Sequence, residues 1–377
     1  MTKERFTVNP FEELGLTPND RLQLQDLANS LILDNLAKFS AFPSTLDPQR
    51  WKLIKDHHNL KMYTERSSST SSDEVVSGNG LPIILGIGTL EGKLDDLMFG
   101  AISSTLEEMR IKASYVDDFS GAAVLDTIVE PTPEEPFLSL LVKWMEVDIP
   151  FASTSLVKNR DYVYIEGTGF VRDADGSRVG YHLIHSVNFP KTQDLPGRIR
   201  ANMSAVAFWQ QSGSNVMKMW ATAVMDPGGN RIRKVFLPAM AGAFMSATRF
   251  AYCGQMKKLA WMLERRYEES KLHGAPNAKN ACVTCSAPSV SRRTGDFGKN
   301  KGTCKLCFGY VCSVCKVVRK ISFVGMDLLL SKRKVTFCTG CVSEVTRMSA
   351  IEAARSQIVT KTPRVFAGIL SSTSSED

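Results

Sequence analysis

The stretch that constrains this chain most is Cys304-Lys305-Leu306-Cys307-Phe308-Gly309-Tyr310-Val311-Cys312-Ser313-Val314-Cys315. It contains two Cys-x-x-Cys pairs that stand only four residues apart. Two further pairs, Cys282/Cys285 and Cys338/Cys341, flank it at gaps of 18 and 22 residues. A two-residue spacer lets a tight turn deliver two thiolates to one tetrahedral Zn²⁺, so the four pairs predict two structural zinc ions.

The short middle gap also predicts which pairs share a metal. Because neighbouring pairs so close together can hardly bind one ion jointly, the spacing favours alternate, cross-braced pairing. Metal binding would then supply the folding free energy that a segment of about 60 residues with little core lacks. We expect one Zn²⁺ on Cys282, Cys285, Cys312 and Cys315 and the other on Cys304, Cys307, Cys338 and Cys341.

The positive charge of the chain is concentrated in this cysteine-rich segment. The whole chain has a formal net charge of +7, and residues 282–341 contain eleven basic but only two acidic residues. Any anionic partner is therefore expected at this small module. Nucleic acid is disfavoured, because the basic residues are not interleaved with stacking aromatics. The candidate contacts with an anionic lipid surface are Lys299, Lys301, Lys305, Lys332, Arg333 and Lys334.

Residues before the cysteine pairs show strand-like runs between helical patterns. Periodicity predicts a helix from Asn19, capped by Asn19 or Asp20, two short helices over Leu94–Ile102 and Thr105–Ala113, and a long helix over Phe236–Glu269. Strands followed by one long helix are typical of an α+β fold with an antiparallel sheet. The strand-like runs are Trp51–Ile54, Leu60–Tyr63, Leu81–Leu90, Ala122–Val129, Phe137–Ile149, Asp161–Val171, Arg178–Val187, Ile199–Phe208 and Met217–Met225.

Part of this pattern resembles a START domain. The features that carry the resemblance are the string Arg160-Asp161-Tyr162-Val163, the strand around Trp144, the turn Asp226-Pro227-Gly228-Gly229 and the long closing helix. The resemblance covers about residues 20–270. START domains wrap an antiparallel sheet around a C-terminal helix, the helix-grip fold, and hold one lipid between the two. The resemblance therefore implies a hydrophobic lipid ligand.

The cysteine segment resembles a FYVE-type zinc finger, most specifically at Cys304–Cys315. RING and PHD fingers usually use a histidine ligand, and no histidine follows His273. The FYVE resemblance implies a phosphoinositide or other anionic membrane surface, as on endosomes. The family's basic, histidine-containing motif is replaced here by Lys299-Asn300-Lys301-Gly302-Thr303-Cys304-Lys305, and its Trp-x-x-Asp before the first cysteine is absent. The segment therefore resembles a FYVE-related finger that keeps the lysines of this motif but lacks its histidines.

No pattern in the sequence predicts catalysis. Neither a Gly-x-Ser-x-Gly nor a Gly-x-x-x-x-Gly-Lys-Ser/Thr motif occurs, and the paired cysteines are expected on zinc. His182 and His185 stand three apart on an expected strand, which places them on opposite faces and favours structural roles. Cys253 lies in an apolar helical stretch and is expected to be an inert core thiol.

These observations predict a non-enzymatic cytoplasmic protein, peripheral on endosomal membranes. We expect an N-terminal lead over residues 1–18, a START-like domain over 19–269, a reorienting linker over 270–281, the finger over 282–345 and a flexible tail over 346–377. Two alternatives remain open. One is an interaction scaffold with an empty START-like core and a protein-binding finger, and the other is a cross-braced ubiquitin ligase.

Overall fold

The computed structural model describes residues 9–43, 45–57, 59–66, 81, 83–116, 119–147, 158–228, 242, 245–274, 281–288, 302–325 and 328–361. Within these residues the chain forms a large antiparallel sheet with helices on both faces and a small unit that contains the eight paired cysteines. The described part of the Phe236–Glu269 prediction is helical, but residues 229–241, 243 and 244 lie outside the described residues. The predicted α+β class with an antiparallel sheet is confirmed.

Helix α1 (Pro18–Ser40) begins one residue earlier than the periodicity indicated. Its N-cap is Thr17 rather than Asn19 or Asp20, and Pro18 occupies the first turn, where a missing N–H costs nothing. The Thr17 side chain accepts from the Asp20 N–H, and the Asp20 carboxylate accepts from the Thr17 N–H at 2.9 Å. This reciprocal capping box satisfies two backbone donors at once and fixes where the helix starts.

Ten strands form one sheet in the order β1-β2-β3-β10-β9-β7-β6-β5-β4, and the short β8 pairs in parallel with β6. The predicted run Ile199–Phe208 is two strands, because Ala201 interrupts the pairing between β8 and β9. The other strand predictions are confirmed where the structure describes them, and residues 82, 148 and 149 of the predicted runs lie outside the described residues. The strands are β1 (Trp51–His57), β2 (Leu60–Glu65), β3 (Ile83–Glu91), β4 (Phe119–Val129), β5 (Ser139–Val147), β6 (Asn159–Arg172), β7 (Arg178–Ser186), β8 (Arg198–Arg200), β9 (Asn202–Gly213) and β10 (Val216–Asp226).

The two faces of the sheet bury different sets of residues. One face packs on α1, and Val142 and Trp144 point into that layer. The opposite face is covered by α2 (Leu94–Ala101), α3 (Leu106–Tyr115) and the closing helix α4 (Phe250–His273). Because successive residues of a strand point to opposite faces, the intervening Lys143 faces the helices α2, α3 and α4.

The closing helix α4 crosses α2 at very short range. A Cβ on Gly254 would lie 1.9 Å from the Asp96 carbonyl oxygen, and a Cβ on Gly100 would lie 1.9 Å from the Phe250 carbonyl oxygen. Real side chains do not approach so closely, so each helix needs glycine where it meets the other's backbone. These two positions set how deeply α4 sits over the sheet.

The sequence motifs on which the START resemblance rests contact one another in the structure. The Arg160 guanidinium donates to the Pro227 carbonyl at 2.8 Å and to the Gly228 carbonyl at 3.3 Å. Asp161 accepts from the Trp144 indole N–H at 3.1 Å and pairs with Arg200 at 2.8 Å. These contacts connect β5, β6, β8 and the turn after β10, so the residues have a structural role.

The cysteine-rich unit contains the hairpin β11 (Lys316–Val324) and β12 (Leu330–Cys338), followed by α5 (Thr339–Arg347). We expected a linker that lets this unit reorient, but the described contacts hold it against the sheet domain. The Ser322 N–H donates to the Tyr115 hydroxyl at 2.7 Å, and the Ser114 and Ser322 hydroxyls lie 2.7 Å apart. Helix α4 also continues to His273, past the expected boundary at residue 269.

The flexible tail expected from residue 346 was wrong for its first part. Helix α6 (Ala350–Lys361) occupies this segment, while residues 362–377 lie outside the described residues. Its small residues Ala350, Ala353 and Ala354 are buried, and Ser356 accepts from the Trp261 indole N–H at 3.1 Å. The helix forms because three alanines on one side let it pack closely against the core.

No helix among the described segments combines the length and apolar character that crossing a bilayer requires.

Candidate functional sites: two tetracysteine clusters and a charged interior

The eight paired cysteines come together in two groups of four. In each group the sulfur atoms lie within 4.8 Å of one another, and the groups are the alternating sets that the spacing favoured. The Cys285 and Cys312 sulfurs are 3.7 Å apart, and the Cys307 and Cys338 sulfurs are 4.0 Å apart. Four sulfurs at about 2.3 Å from a tetrahedral Zn²⁺ would be about 3.8 Å apart, so both groups fit this ion.

The first two Cys-x-x-Cys turns share one backbone design. In each, the N–H four residues after the leading cysteine donates to that cysteine's carbonyl: Ser286 to Cys282 at 2.8 Å and Phe308 to Cys304 at 3.0 Å. Both donors adopt a positive φ, +60° for Ser286 and +58° for Phe308. This left-handed residue closes the turn and directs both thiols of a pair to the same side.

Hydrogen bonds from backbone N–H groups and from neighbouring thiols prepare some of these cysteines for ionisation. The Cys312 N–H donates to the Cys282 sulfur at 3.4 Å, and this bond is the largest cause that lowers the pKa of Cys282 to about 6. A hydrogen bond from the Cys341 thiol lowers the pKa of Cys304 to about 4. A bond to Cys285, in contrast, raises the pKa of Cys315 to about 12. A bound divalent cation would stabilise all four thiolates of a group together.

A second cluster of titratable groups lies inside the sheet domain. Glu166 on β6 accepts from Lys112 of α3 at 2.9 Å and contacts His182 of β7 at 2.6 Å with the same carboxylate oxygen. Its other oxygen binds Lys143 of β5. All four residues are buried, and Ser103 accepts from both lysines. The cluster lies beneath α4, whose Phe250 ring packs edge-on against His182.

The charges in this cluster do not cancel. Burial lowers the pKa of His182, so the imidazole is neutral at pH 7 and donates its Nε2–H to Glu166. Burial would raise the pKa of Glu166, but Lys112 and Lys143 hold it well below its usual value, so the carboxylate is ionised. Burial also lowers the pKa of Lys143. Two lysines against one carboxylate leave surplus positive character in a low-dielectric interior, which is costly without an acceptor.

This cluster was missed from the sequence, apart from His182, which we assigned a structural role. His182 lies on the helix-covered face and contacts Glu166, whereas the His185 Nδ1 is hydrogen-bonded to the Ser204 hydroxyl at 3.0 Å. The two histidines therefore share no site. A signal was present: Lys143 is the one charge between Leu140 and Met145, and Glu166 directly follows the apolar run Tyr162–Ile165. The strand register shows that these two side chains meet. It pairs Lys143 with Tyr164, and Glu166 lies two residues further along β6 on the same face.

The predicted anionic-lipid contacts are spread over the cysteine-rich unit. Lys305 is exposed beside the second cysteine pair, and Arg333 and Lys334 are exposed on β12. Lys332 donates to the Ser114 carbonyl at 2.6 Å and lies over the Tyr115 ring, so it contacts the sheet domain. Lys299 and Lys301 lie outside the described residues.

Comparisons with known proteins give only distant likenesses. No family model matches the chain, and no curated protein matches it. Among solved structures, it is similar to human StAR-related lipid transfer protein 5, with a TM-score of 0.45, 15% identity and coverage of 62% of this chain and 98% of that one. For human STARD10 the TM-score is 0.40, with 14% identity and coverage of 64% and 82%. For the human StarD13 lipid transfer and protein localization domain it is 0.38, with 14% identity and coverage of 59% and 95%.

Proposed function

We propose that the sheet domain holds one hydrophobic ligand with a polar end, under helix α4, and that the protein acts by binding rather than catalysis. The observation that carries this proposal is the interior cluster of Lys112, Lys143, Glu166 and His182. Buried charge with surplus positive character is rare in a core whose only task is packing, because it opposes folding. Strongly perturbed pKa values also concentrate where proteins bind ligands or act on them.

The chemistry of the cluster indicates what the polar end would be. Lys112 has three N–H groups and, within the described residues, two acceptors, Glu166 and Ser103. A ligand oxygen, as in a carboxylate, phosphate or hydroxyl, would accept the third and offset the surplus charge. The apolar residues around α2 and α4 would surround the hydrocarbon part. These features fit a lipid with one anionic or hydrogen-bond-accepting end, as the START resemblance implies.

Analysis of co-purified lipid tests this proposal. The full chain is purified, extracted and examined by mass spectrometry, and we expect one lipid class in near-stoichiometric amount. Lys112→Met should reduce that amount several-fold, whereas Lys61→Met, which changes an exposed lysine of β2, should not. A chain that copurifies no lipid and takes up none from vesicles would contradict the proposal and favour the scaffold alternative, in which the cluster only satisfies itself.

The same proposal assigns the cysteine-rich unit to membrane recruitment. Two Zn²⁺ would hold it together as a FYVE-related finger, and its basic residues would attract an anionic endomembrane such as the endosomal surface. Vesicle flotation with and without phosphatidylinositol 3-phosphate tests how specific this is. Binding that requires this lipid would support a phosphoinositide site. Binding that increases with the total negative charge of the vesicle and disappears at high salt would instead indicate nonspecific electrostatic attraction.

A further inference from the structure

An open cleft lies where the cysteine-rich unit meets the sheet domain. Its volume is about 310 Å³, at the lower end of the range for sites that bind small molecules. The residues that line it are Tyr115, Tyr252, Val318, Arg319, Lys320 and Lys332. None of them belongs to the interior cluster around Glu166 or to the two cysteine groups, so the cleft is a separate site.

Two tyrosines form the wall on the side of the sheet domain. Tyr115 ends α3 and Tyr252 lies in the first turn of α4, and their rings meet edge to face with centroids 6.0 Å apart. The Tyr115 hydroxyl accepts from the Ser322 N–H at 2.7 Å and donates to the Lys320 carbonyl at 3.4 Å, which holds this ring in place. Tyr252 is 43% exposed. Its ring is therefore accessible to a ligand in the cleft.

The β11–β12 hairpin supplies the opposite wall, which is basic. Lys332 is paired with Ser322, and Lys320 lies two residues from Ser322 on β11, so both lysines share the face that packs on the sheet domain. Lys334 is paired with Lys320 and shares that face too. The Lys332 ammonium donates to the Ser114 carbonyl at 2.6 Å, which fixes its position. Three lysines therefore stand together on one face of the hairpin.

The charge of these lysines is not balanced within the described part of the cysteine-rich unit. Residues 302–325 and 328–349 contain one acid, Glu344, which lies on α5. Among the residues that the structure describes, no ion pair involves Lys320 or Lys334. Like charges that face each other across a hairpin are destabilising, so an anion bound beside them would relieve a repulsion present in the free protein.

We propose that this cleft binds a small soluble phosphate monoester that carries a flat ring, of about the size of a nucleoside monophosphate. The phosphate has roughly two negative charges at neutral pH and contacts Lys320 and Lys332. The ring lies against Tyr252 and against Val318, which is 40% exposed. The basic residues have no stacking aromatics among them in the sequence, but the fold brings the tyrosines of α3 and α4 to them. This site is independent of the interior ligand and of membrane recruitment.

Isothermal titration calorimetry of the full chain with adenosine 5′-monophosphate tests the site. Ribose 5-phosphate lacks the ring and adenosine lacks the phosphate, so each should bind at least about five-fold more weakly. Lys320→Gln should weaken binding of the nucleotide about ten-fold, because it removes a charge-assisted hydrogen bond. Tyr252→Leu should weaken it about five-fold and leave the binding of ribose 5-phosphate unchanged, since only the ring contact is lost.

The hairpin offers a matched control for the change in charge. Arg333→Gln removes an exposed basic residue of β12 that stands between Lys332 and Lys334 and points to the opposite face. It should bind the nucleotide within about two-fold of the native chain, because solvent screens a charge on the far face. Equal zinc content by native mass spectrometry shows that each variant retains the cysteine-rich unit.

Four results would overturn the proposal. Equal weakening by Arg333→Gln and Lys320→Gln would mean that overall charge attracts the anion. Equal affinity for ribose 5-phosphate and the nucleotide would mean that the tyrosine wall takes no part. Vesicles with phosphatidylinositol 3-phosphate that bind through Lys320, without any nucleotide binding, would assign the cleft to a lipid head group. A chain that binds no nucleotide at millimolar concentration and low salt has no such site, and the lipid-extraction result is unaffected.

Discussion

Cys312 groups with Cys282, although Cys307 is much nearer in sequence. Cys312→Ser should therefore remove the metal of the Cys282 group and leave the other, because a three-thiolate site binds Zn²⁺ more weakly. Native mass spectrometry should show one zinc instead of two, and alkylation should label Cys282 faster than Cys304. The matched control is Cys253→Ser, since burial raises the pKa of that thiol to about 11 and it joins neither group. Faster labelling of Cys304 would contradict the cross-brace.

His182 should make the stability of the protein depend on pH below neutrality. Burial lowers its pKa in the folded state from the ordinary 6.5, so as the pH falls below this value the unfolded chain binds a proton that the folded chain does not. Stability should therefore decrease on acidification, with a limiting slope of about 1.4 kcal/mol per pH unit for one proton.

Urea denaturation between neutral and mildly acidic pH measures this effect. His182→Gln should show a shallower loss of unfolding free energy than the native chain over the same range. His273→Gln, which changes an exposed histidine at the end of α4, should follow the native curve. Parallel curves for all three proteins would mean that other groups, such as the cysteine clusters, cause the acid sensitivity.

At the level of elements, the crossing of α2 and α4 depends on two glycines. Gly254→Ala would place a Cβ 1.9 Å from the Asp96 carbonyl oxygen, which forces the helices apart. We expect a loss of about 3 kcal/mol in unfolding free energy, at the upper end of the usual cost of overpacking. Gly213→Ala is the control, because its nearest atom would be 3.9 Å away, and it should change stability by less than about 0.5 kcal/mol. Equal effects would contradict a close crossing.

Helices and strands were largely predictable because their signals are local. Alternation located most strands within two or three residues, and the cysteine spacing favoured the observed groups of four. The cap of α1 was misplaced because the apolar periodicity begins only after Pro18, although proline suits a first turn. Helix α6 was missed because its buried alanines give little hydrophobic periodicity, and only packing on the core shows which side is apolar. The interior cluster depends on strand register and helix placement, which no local pattern encodes.

At the level of the whole molecule, Lys258 joins three parts of the fold. Its buried ammonium pairs with Asp96 of α2 at 2.7 Å and donates to the Thr346 and Met348 carbonyls at 3.1 and 3.0 Å. These carbonyls lie at the end of α5, directly after the cysteine-rich unit, so one side chain connects the sheet domain to that unit.

Lys258→Met should destabilise the protein by about 3–5 kcal/mol, because it leaves Asp96 buried without its cation. Denaturant titration measures the loss, and limited proteolysis should cleave the segment around α5 and α6 sooner. Lys271→Met is a control on the same helix, since Lys271 pairs with Glu268 at the surface, and it should have little effect. Adding Asp96→Leu to Lys258→Met should recover part of the loss, and a further full loss would contradict the buried pair.

The position of α5 and α6 after α4 has a consequence for how the protein is made. The partner of Trp261 and two of the three partners of Lys258 lie in residues 346–356, so that side of α4 stays uncovered until the ribosome has synthesised those residues. The nascent sheet domain would meanwhile expose an apolar helix face and an ammonium whose one partner is Asp96. Chaperones would have reason to bind this intermediate, and nonsense mutations shortly after Cys341 should yield chains that are degraded even though every cysteine is present.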